Sequence, residues 1–314
     1  MSPPERPATN PEPPACPASA ALLRPGRGDP AAPIGVFDSG LGGLSVWREI
    51  VGQLPAESTI YVADRAHVPY GDRQPHQIRR FCEAIAASLV QSGCKAVVVA
   101  CNTASAVALH HLRECFPSTL MLGLEPAVKP AVARTRSGVV GVMATPATFQ
   151  GRLYRATVGR HAAAVRVVEQ VCLGLADRVE AGALEGAETE ALLRHFLEPM
   201  LAAGADTIVL GCTHYPFVIE TIRRLVGLEV AVIDPAPAVV RHLASLLHHY
   251  GLEAPPTSIA SHRFFTTGEA LAFDRDAARL IEQSTGSEAI HWDASGGHLL
   301  SWMPLRQHSP PGAP

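Results

Sequence analysis

The sequence predicts an α/β fold made of two similar halves, each an open sheet of parallel strands. Three observations carry this expectation. Short runs of β-branched and aliphatic residues, the mark of strands buried on both faces, alternate with stretches of helical periodicity. One such run, ending in a cysteine and a polar turn, occurs twice: Ala96-Val97-Val98-Val99-Ala100-Cys101-Asn102-Thr103-Ala104-Ser105 and Thr207-Ile208-Val209-Leu210-Gly211-Cys212-Thr213-His214-Tyr215-Pro216. The strand-then-turn plan of residues 34–43 also returns at 139–149, with Thr145 answering Ser39. The offset 145 − 39 = 106 nearly equals 212 − 101 = 111, which implies two related half-chains with one cysteine each.

Composition bounds the function classes. A chain of 314 residues, 47% hydrophobic and 18% charged with net charge −3, is globular and long enough for one or two domains. A pI near 6.5 without a basic block gives no footprint for nucleic acid. Lys95 and Lys129 are the only lysines, so few residues are available for a pyridoxal Schiff base. Seven cysteines without close pairing argue against a disulfide framework and for a reducing, cytoplasmic compartment. No Cys-x-x-Cys or His-x-x-x-His spacing suggests zinc, and no run approaches the roughly twenty apolar residues of a membrane span.

In chain order, residues 1–32 are dense in Pro, Ala and Gly and read as a disordered extension without chemistry. Order begins with a strand at 34–37, a turn Asp38-Ser39-Gly40-Leu41-Gly42-Gly43 and a helix over 44–54. Such a turn can aim backbone N–H groups at an anion, but it lacks the Lys-Ser/Thr of a P-loop and the glycine spacing of a dinucleotide fingerprint. A strand at 59–63 leads to Asp64, then to the turn Pro69-Tyr70-Gly71 and an amphipathic helix over 75–91. The Tyr70 and Gly71 N–H groups are candidates to hold a ligand carboxylate; packing is the plainer role for the tyrosine ring. Asp38 and Asp64 each follow a strand, which puts them on the ligand edge of the sheet, either as reactive acids or as turn caps.

After the first cysteine strand, a helix runs to Cys115 and a strand covers 119–122. The second half gives the strand that opens the 139–149 stretch, strands at 165–168 and 230–233 and the second cysteine strand from 207, with helices near 174–181, 188–203 and 237–250. Residues 263–268 read as an edge strand and turn, and the tail from 309 as loose. Glu180, on the first of those helices, reads from its local sequence as a solvated helix residue. Cys101 and Cys212 both stand at carboxyl ends of strands, where helix N-termini favour anions and can lower a thiol pKa from about 8.5. A lone buried cysteine ordinarily packs as a small apolar residue; two, each followed by hydroxyl or amide side chains, suggest a two-base site.

With these motifs in view, the chain resembles the aspartate/glutamate racemase superfamily. The resemblance rests on 37–43, Pro69-Tyr70-Gly71, Ala100-Cys101-Asn102-Thr103, Ala144-Thr145-Pro146-Ala147-Thr148 and 211–216, in order and at family-like separations, and matching stretches run from 34 to about 273. It departs at His67, where the family often has arginine, and at 173–177, where the family is richer in proline. The resemblance implies cofactor-independent interconversion of L- and D-glutamate, supplying the D-isomer for peptidoglycan, with no metal and in a homodimer. It implies two pseudo-symmetric domains, 33–124 with 238–308 and 125–237, closing over the substrate in the cleft between them. It assigns α-proton removal from D-glutamate to Cys101 and from L-glutamate to Cys212, assisted by Asp38 and His214 respectively. Asp38, Ser39, Tyr70, Gly71, Asn102, Thr103, Thr145, Thr148, Thr213 and His214 would hold the substrate, with Asp64 and Glu180 as nearby acids. A sister enzyme acting on aspartate, a hydantoin or another carbon acid, and a non-catalytic amino-acid-binding or inhibitory protein, are the alternatives.

Overall fold

The structure, a computed structural model, describes residues 28–293 and 299–300. The extension expected before residue 28 and the tail expected from 309 lie outside the described residues. The first lobe opens with β1 (Ile34–Asp38), α1 (Leu44–Gln53), β2 (Thr59–Ala63), α2 (Pro75–Gln91), β3 (Ala96–Val99), α3 (Asn102–Cys115) and β4 (Leu120–Gly123). The second follows with α4 (Val128–Arg134), β5 (Val139–Ala144), α5 (Pro146–Gln150), α6 (Arg152–His161), β6 (Arg166–Val171), α7 (Leu175–Glu180), α8 (Ala187–Ala202), β7 (Thr207–Gly211), α9 (Ile219–Val226) and β8 (Ala231–Ile233). The chain then returns to the first sheet through α10 (Ala236–Tyr250), β9 (His262–Thr266), α11 (Ala270–Ile281) and β10 (Glu288–Ala289), and ends in a small ribbon of β11 (His291–Trp292) and β12 (Leu299–Leu300).

The two sheets repeat one plan. The first has the order β10-β9-β2-β1-β3-β4 and the second β6-β5-β7-β8, so β1, β2, β3 and β4 correspond to β5, β6, β7 and β8. All of these pairings are parallel, and register corresponds as well: Phe37 pairs with Val99 as Met143 pairs with Leu210. In each sheet the chain leaves the central strand to one side and crosses to the other. The loops that follow β1 and β3, or β5 and β7, therefore part at a switch point where a ligand can enter.

Successive side chains of the buried strands feed opposite faces. On β3, Ala96 and Val98 join an apolar cluster with Leu44, Trp47 and Leu243, whereas Val97 and Val99 pack with Ile85, Leu89 and Leu109 under α2 and α3. The first of these clusters continues into the second lobe through Leu175, Leu193 and Tyr215, so the lobes share apolar packing.

Two details differ from the sequence reading. Strand β9 is flanked by the two-residue β10 as well as by β2, so the true edge is β10. Helices α4, α5, α6 and α11 were not anticipated, and the helix expected directly after Cys212 begins only at Ile219, as α9; α6 buries only Tyr154 among its own residues, which leaves little apolar periodicity to read.

Candidate active site

The residues that begin each loop after a strand meet at a cavity of about 330 Å³ between the lobes. Ser39, Cys101, Asn102 and Thr103 reach it from the first sheet, and Thr145, Cys212, Thr213 and His214 from the second. Tyr70 and Gly71 form part of the wall, as does Glu180. The cavity is thus built from the polar residues that follow the central strand and its neighbour in each sheet.

Local capping explains much of this arrangement. Cys101 is the extended N-cap of α3, and its Sγ accepts from the Ala104 N–H at 3.4 Å. Thr145 caps α5 in the same way, its hydroxyl accepting from the Thr148 N–H at 3.3 Å. The Thr145 hydroxyl also lies 2.9 Å from that of Thr103 and 3.0 Å from that of Thr148, a hydroxyl chain that crosses between the lobes. Thr148 is buried behind Thr145 and does not line the cavity.

The environments of the two thiols are unlike. Burial raises the Cys101 thiol well above its ordinary value, and the nearby Asp38 carboxylate adds to that rise; the Ala104 N–H opposes it without prevailing. This corrects the expectation that a helix N-terminus lowers that thiol. In a closed site the loss of water outweighs one backbone donor. Ser39 Oγ stands 3.9 Å from the Cys101 sulfur. Asp38 itself is buried behind the wall, its Oδ2 accepting from the Gly40 and Gly43 N–H groups at 3.1 and 3.0 Å. Its Oδ1 has no hydrogen-bond partner among the described residues. Burial raises the Asp38 carboxyl, with the His214 charge and the two N–H groups pulling the other way.

Around Cys212 the polarity is reversed. His214 Nδ1 lies 3.5 Å from the Cys212 sulfur and Nε2 2.7 Å from Glu180 Oε1. Burial disfavours a charged imidazole, but the hydrogen bonds to Cys212 and Glu180 outweigh it and hold His214 well above its usual range. Burial likewise opposes ionisation of Glu180, and its bond with His214, the Leu41 N–H and the Arg65 charge bring it below the usual carboxylate range. An imidazolium between a sulfur and a carboxylate is a proton-handling chain.

Glu180 therefore lines the cavity and is not the solvated helix residue that its local sequence suggests. Its Oε1 also accepts from the Leu41 N–H at 2.6 Å, and Arg65 Nε stands 3.8 Å from Oε2. The glycine-rich turn is moulded to this second-lobe group. A Cβ on Gly40 would clash with Glu180 Oε1, and one on Gly42 would sit 2.6 Å from His214 Cε1 and Nδ1. The turn's N–H groups at Gly40, Leu41 and Gly43 serve protein carboxylates rather than a phosphate.

Asp64 stands at the end of β2 but is not on the wall; it is fully buried beneath the Tyr70 turn. The Tyr70 hydroxyl donates to Asp64 at 2.7 Å, so the tyrosine contributes to the cavity through the turn's backbone and ring rather than through a free hydroxyl. Cys172, Asp72 and Asp177 line the cavity and were not anticipated as site residues. Cys172 directly follows β6 just as Cys101 and Cys212 follow β3 and β7, give or take one residue, so strand-end position was the signal that could have found it. Away from the cavity, His111 Nε2 lies 2.8 Å from Glu83 Oε2.

The sequence matches the Asp/Glu/hydantoin racemase family over residues 34–243. It is 52% identical over 262 residues to the glutamate racemase of Stutzerimonas stutzeri strain A1501, covering 83% of this chain and 97% of that one. Among solved structures, the fold is similar to the glutamate racemase of Francisella tularensis in complex with D-glutamate, with TM-score 0.74, 30% identity and coverage of 83% and 97%. It is also similar to the glutamate racemase isoform RacE1 of Bacillus anthracis, with TM-score 0.77, 34% identity and coverage of 82% and 97%.

Proposed function

The chain belongs to the Asp/Glu/hydantoin racemase family, and from that premise we propose that it interconverts L- and D-glutamate by a two-base mechanism using Cys101 and Cys212. One observation carries the reading: two buried thiols, each at the end of the corresponding strand of a duplicated sheet, share one cavity. Inversion at a carbon acid needs a base on one face and an acid on the other, and such a pair provides both.

In the direction from L-glutamate, Cys212 as thiolate takes the α-proton, and the electron pair of the broken C–H bond passes into the α-carboxylate as an enediolate. The Cys101 thiol then donates its proton to the opposite face of the same carbon, forming D-glutamate and leaving Cys101 as thiolate. The reverse direction exchanges the two roles. The raised Cys101 thiol fits its part as the acid of the first direction. His214 and Glu180 keep a positive donor at the Cys212 sulfur, and Asp38 plays the supporting part behind Cys101. The α-proton is very weakly acidic, so the developing charge must be met by fixed donors in a water-poor site. The N–H groups that open the helix after Cys101 and those of the Tyr70-Gly71 turn supply donors, with the hydroxyls and amide of Ser39, Asn102, Thr103, Thr145 and Thr213. Both polar atoms of the buried Asn102 side chain lack a hydrogen-bond partner among the described residues, as a substrate-binding amide requires.

The reaction draws on protein side chains alone and needs neither pyridoxal nor metal. The physiological role that fits is supply of D-glutamate for peptidoglycan, by a cytoplasmic homodimer. Among the described residues, no helix is long and apolar enough to cross a membrane.

The test follows circular dichroism of L- and D-glutamate, with aspartate and a hydantoin as comparison substrates, using protein freed of metals and pyridoxal. Racemisation should persist, and in D₂O deuterium should enter the inverted product while unreacted substrate stays nearly unlabelled. Replacing either cysteine by serine should abolish turnover in both directions. A Cys212→Ser variant close to the wild-type rate would refute the two-base assignment.

A further inference from the structure

The fully buried Asp64 carboxylate gathers four donors from three separate parts of the chain. The Tyr70 hydroxyl reaches Oδ2 at 2.7 Å and His67 Nδ1 reaches it at 2.9 Å. On the other oxygen, the Thr267 hydroxyl and the Trp292 indole N–H each donate at 2.8 Å. Thr267 follows β9, and Trp292 ends β11, more than 220 positions beyond Asp64 (292 − 64 = 228). The Trp292 ring also packs on the turn: it lies 5.1 Å from the His67 ring and 5.5 Å from the Phe81 ring, and His67 stacks on Phe81 at 3.7 Å.

What these groups hold is the segment that becomes cavity wall. His67 and Tyr70 bracket the Val68–Pro69 step, and Arg73 closes the segment from the other side by donating from Nε to the His67 carbonyl at 2.8 Å. Gly71 then faces the second lobe, where a Cβ on it would meet Thr145 at 3.7 Å. Asp64 and Trp292 do not line the cavity.

We propose that Trp292 is a positioning residue for substrate binding, acting through Asp64 to fix the Tyr70-Gly71 turn, so that β11 belongs to the active-site assembly. The proposal rests on the glutamate-racemase reading only for what the turn binds; the tie itself stands on the hydrogen bonds above. A buried carboxylate is an acceptor for several donors at once, and its charge strengthens each bond. Loss of one donor loosens the others' anchor without emptying the aromatic stack, provided an aromatic ring remains. Because the turn is expected to hold a substrate carboxylate throughout the reaction, loosening it weakens ground state and transition state alike, which raises KM and spares kcat. A merely structural role for Trp292 would instead lower the amount of folded enzyme and leave both constants unchanged.

The experiment compares wild type with Trp292→Phe, which keeps the ring against His67 and Phe81 and removes the N–H. Asp64→Asn is the second variant, since an amide has one acceptor oxygen where the carboxylate has two. Racemisation kinetics are taken from both enantiomers, and hydrogen–deuterium exchange is followed in peptides covering 66–73, 101–106 and 212–218. The expected result is a KM raised about 5- to 20-fold for both enantiomers with kcat within about twofold, and faster exchange confined to 66–73. Unchanged KM and unchanged exchange in Trp292→Phe would overturn the proposal, as would a fall in kcat at constant KM. The exchange measurement does not depend on turnover. Faster exchange at 66–73 in a protein whose wild type fails to racemise glutamate would sink the substrate assignment and leave the tie standing; unchanged exchange would sink the tie whatever the substrate.

Discussion

Replacing Gly42 by alanine should cost about two orders of magnitude in turnover while leaving the fold intact, and the loss should carry the signature of Cys212. Gly42 is not at a left-handed backbone position, so alanine meets no conformational penalty there. The obstacle is spatial. The new Cβ would lie 2.6 Å from His214 Cε1 and Nδ1 and 2.7 Å from Thr213 Oγ1. Non-bonded carbons rest at about 3.5 Å, so the imidazole would have to withdraw by roughly 0.9 Å. His214 is held between Cys212 at 3.5 Å and Glu180 at 2.7 Å, so that withdrawal breaks one or both bonds. A displacement of about 1 Å at a reacting group costs on the order of 10²-fold, or roughly 2.7 kcal/mol of barrier. Since the two enantiomers are equal in free energy, kcat/KM falls equally from either side, and rates alone cannot say which thiol suffered. Isotope effects can. With [2-²H]glutamate, slow transfer at Cys212 exposes the substrate isotope effect when L-glutamate is the substrate, because Cys212 then breaks the labelled bond. From D-glutamate the labelled bond is broken by Cys101, and the slow step carries a solvent proton instead. Activity within threefold of wild type, or a substrate isotope effect that grows from the D side, would refute this reasoning.

Two further substitutions test the frame around the site. Glu180→Gln should remove a stabilisation that is pH-dependent at both ends. The Glu180 part, with its carboxyl lowered despite burial, is present above the ordinary carboxylate pKa and is lost as pH falls through the lowered value; the His214 part, raised despite burial, is present below about 6.5 and is lost as pH rises through the raised value. Urea titrations should thus find the difference between variant and wild type largest between about pH 4.5 and 6.5, and a difference independent of pH would contradict the pairing. Lys95→Met should destabilise by about 3–5 kcal/mol in the same assay, because it strands the buried Glu57 carboxylate that now meets Lys95 Nζ at 2.5 Å. Adding Glu57→Gln should recover part of that loss, and a Lys95→Met variant of wild-type stability would show that the pair contributes little.

Much of this arrangement is legible in the sequence because parallel sheets write their buried strands as unbroken aliphatic runs. Val97, Val98 and Val99 or Ile208, Val209 and Leu210 can hardly be anything else, and the residue after each run is placed on the ligand edge by topology alone. That logic found Ser39, Cys101, Thr145 and Cys212. It also reached Asp64, but the strand end decides only where a side chain begins. Whether Asp64 faces the cavity or turns beneath Tyr70 depends on Thr267 and Trp292, which are distant in the chain. Glu180 was obscured for the same reason: a glutamate on a short helix looks solvated until the Leu41 N–H, Arg65 and His214 converge on it from other elements. Cys172 follows a strand with half-exposed residues, Arg166–Val171, whose weak apolar signal hid the thiol at its end.

Duplication of the sheet gives the thiols of Cys101 and Cys212 equivalent positions, yet their neighbours make them chemically unequal, and this inequality can be read directly with an alkylating reagent. The thiolate is the nucleophile, so a thiol whose ionisation is disfavoured reacts slowly. Burial raises Cys82 and Cys101 well above the ordinary value and pushes Cys94 up to about 12; Cys172 is raised by burial as well. Cys212 alone among these five free thiols has an imidazole nitrogen at its sulfur, 3.5 Å away and backed by a carboxylate. Cys101 and Cys212 open onto the same cavity and are similarly buried, at 5% and 8% exposure, so access does not separate them. Iodoacetamide at neutral pH without substrate should therefore carboxamidomethylate Cys212 first, as counted by mass spectrometry of the two peptides, and His214→Asn should erase the preference. Saturating glutamate should protect both thiols. Should Cys101 be labelled first in the wild type, the resting enzyme would hold its reactive thiol on the first lobe, and the direction of proton transfer assigned to the His214–Glu180 pair would have to be exchanged.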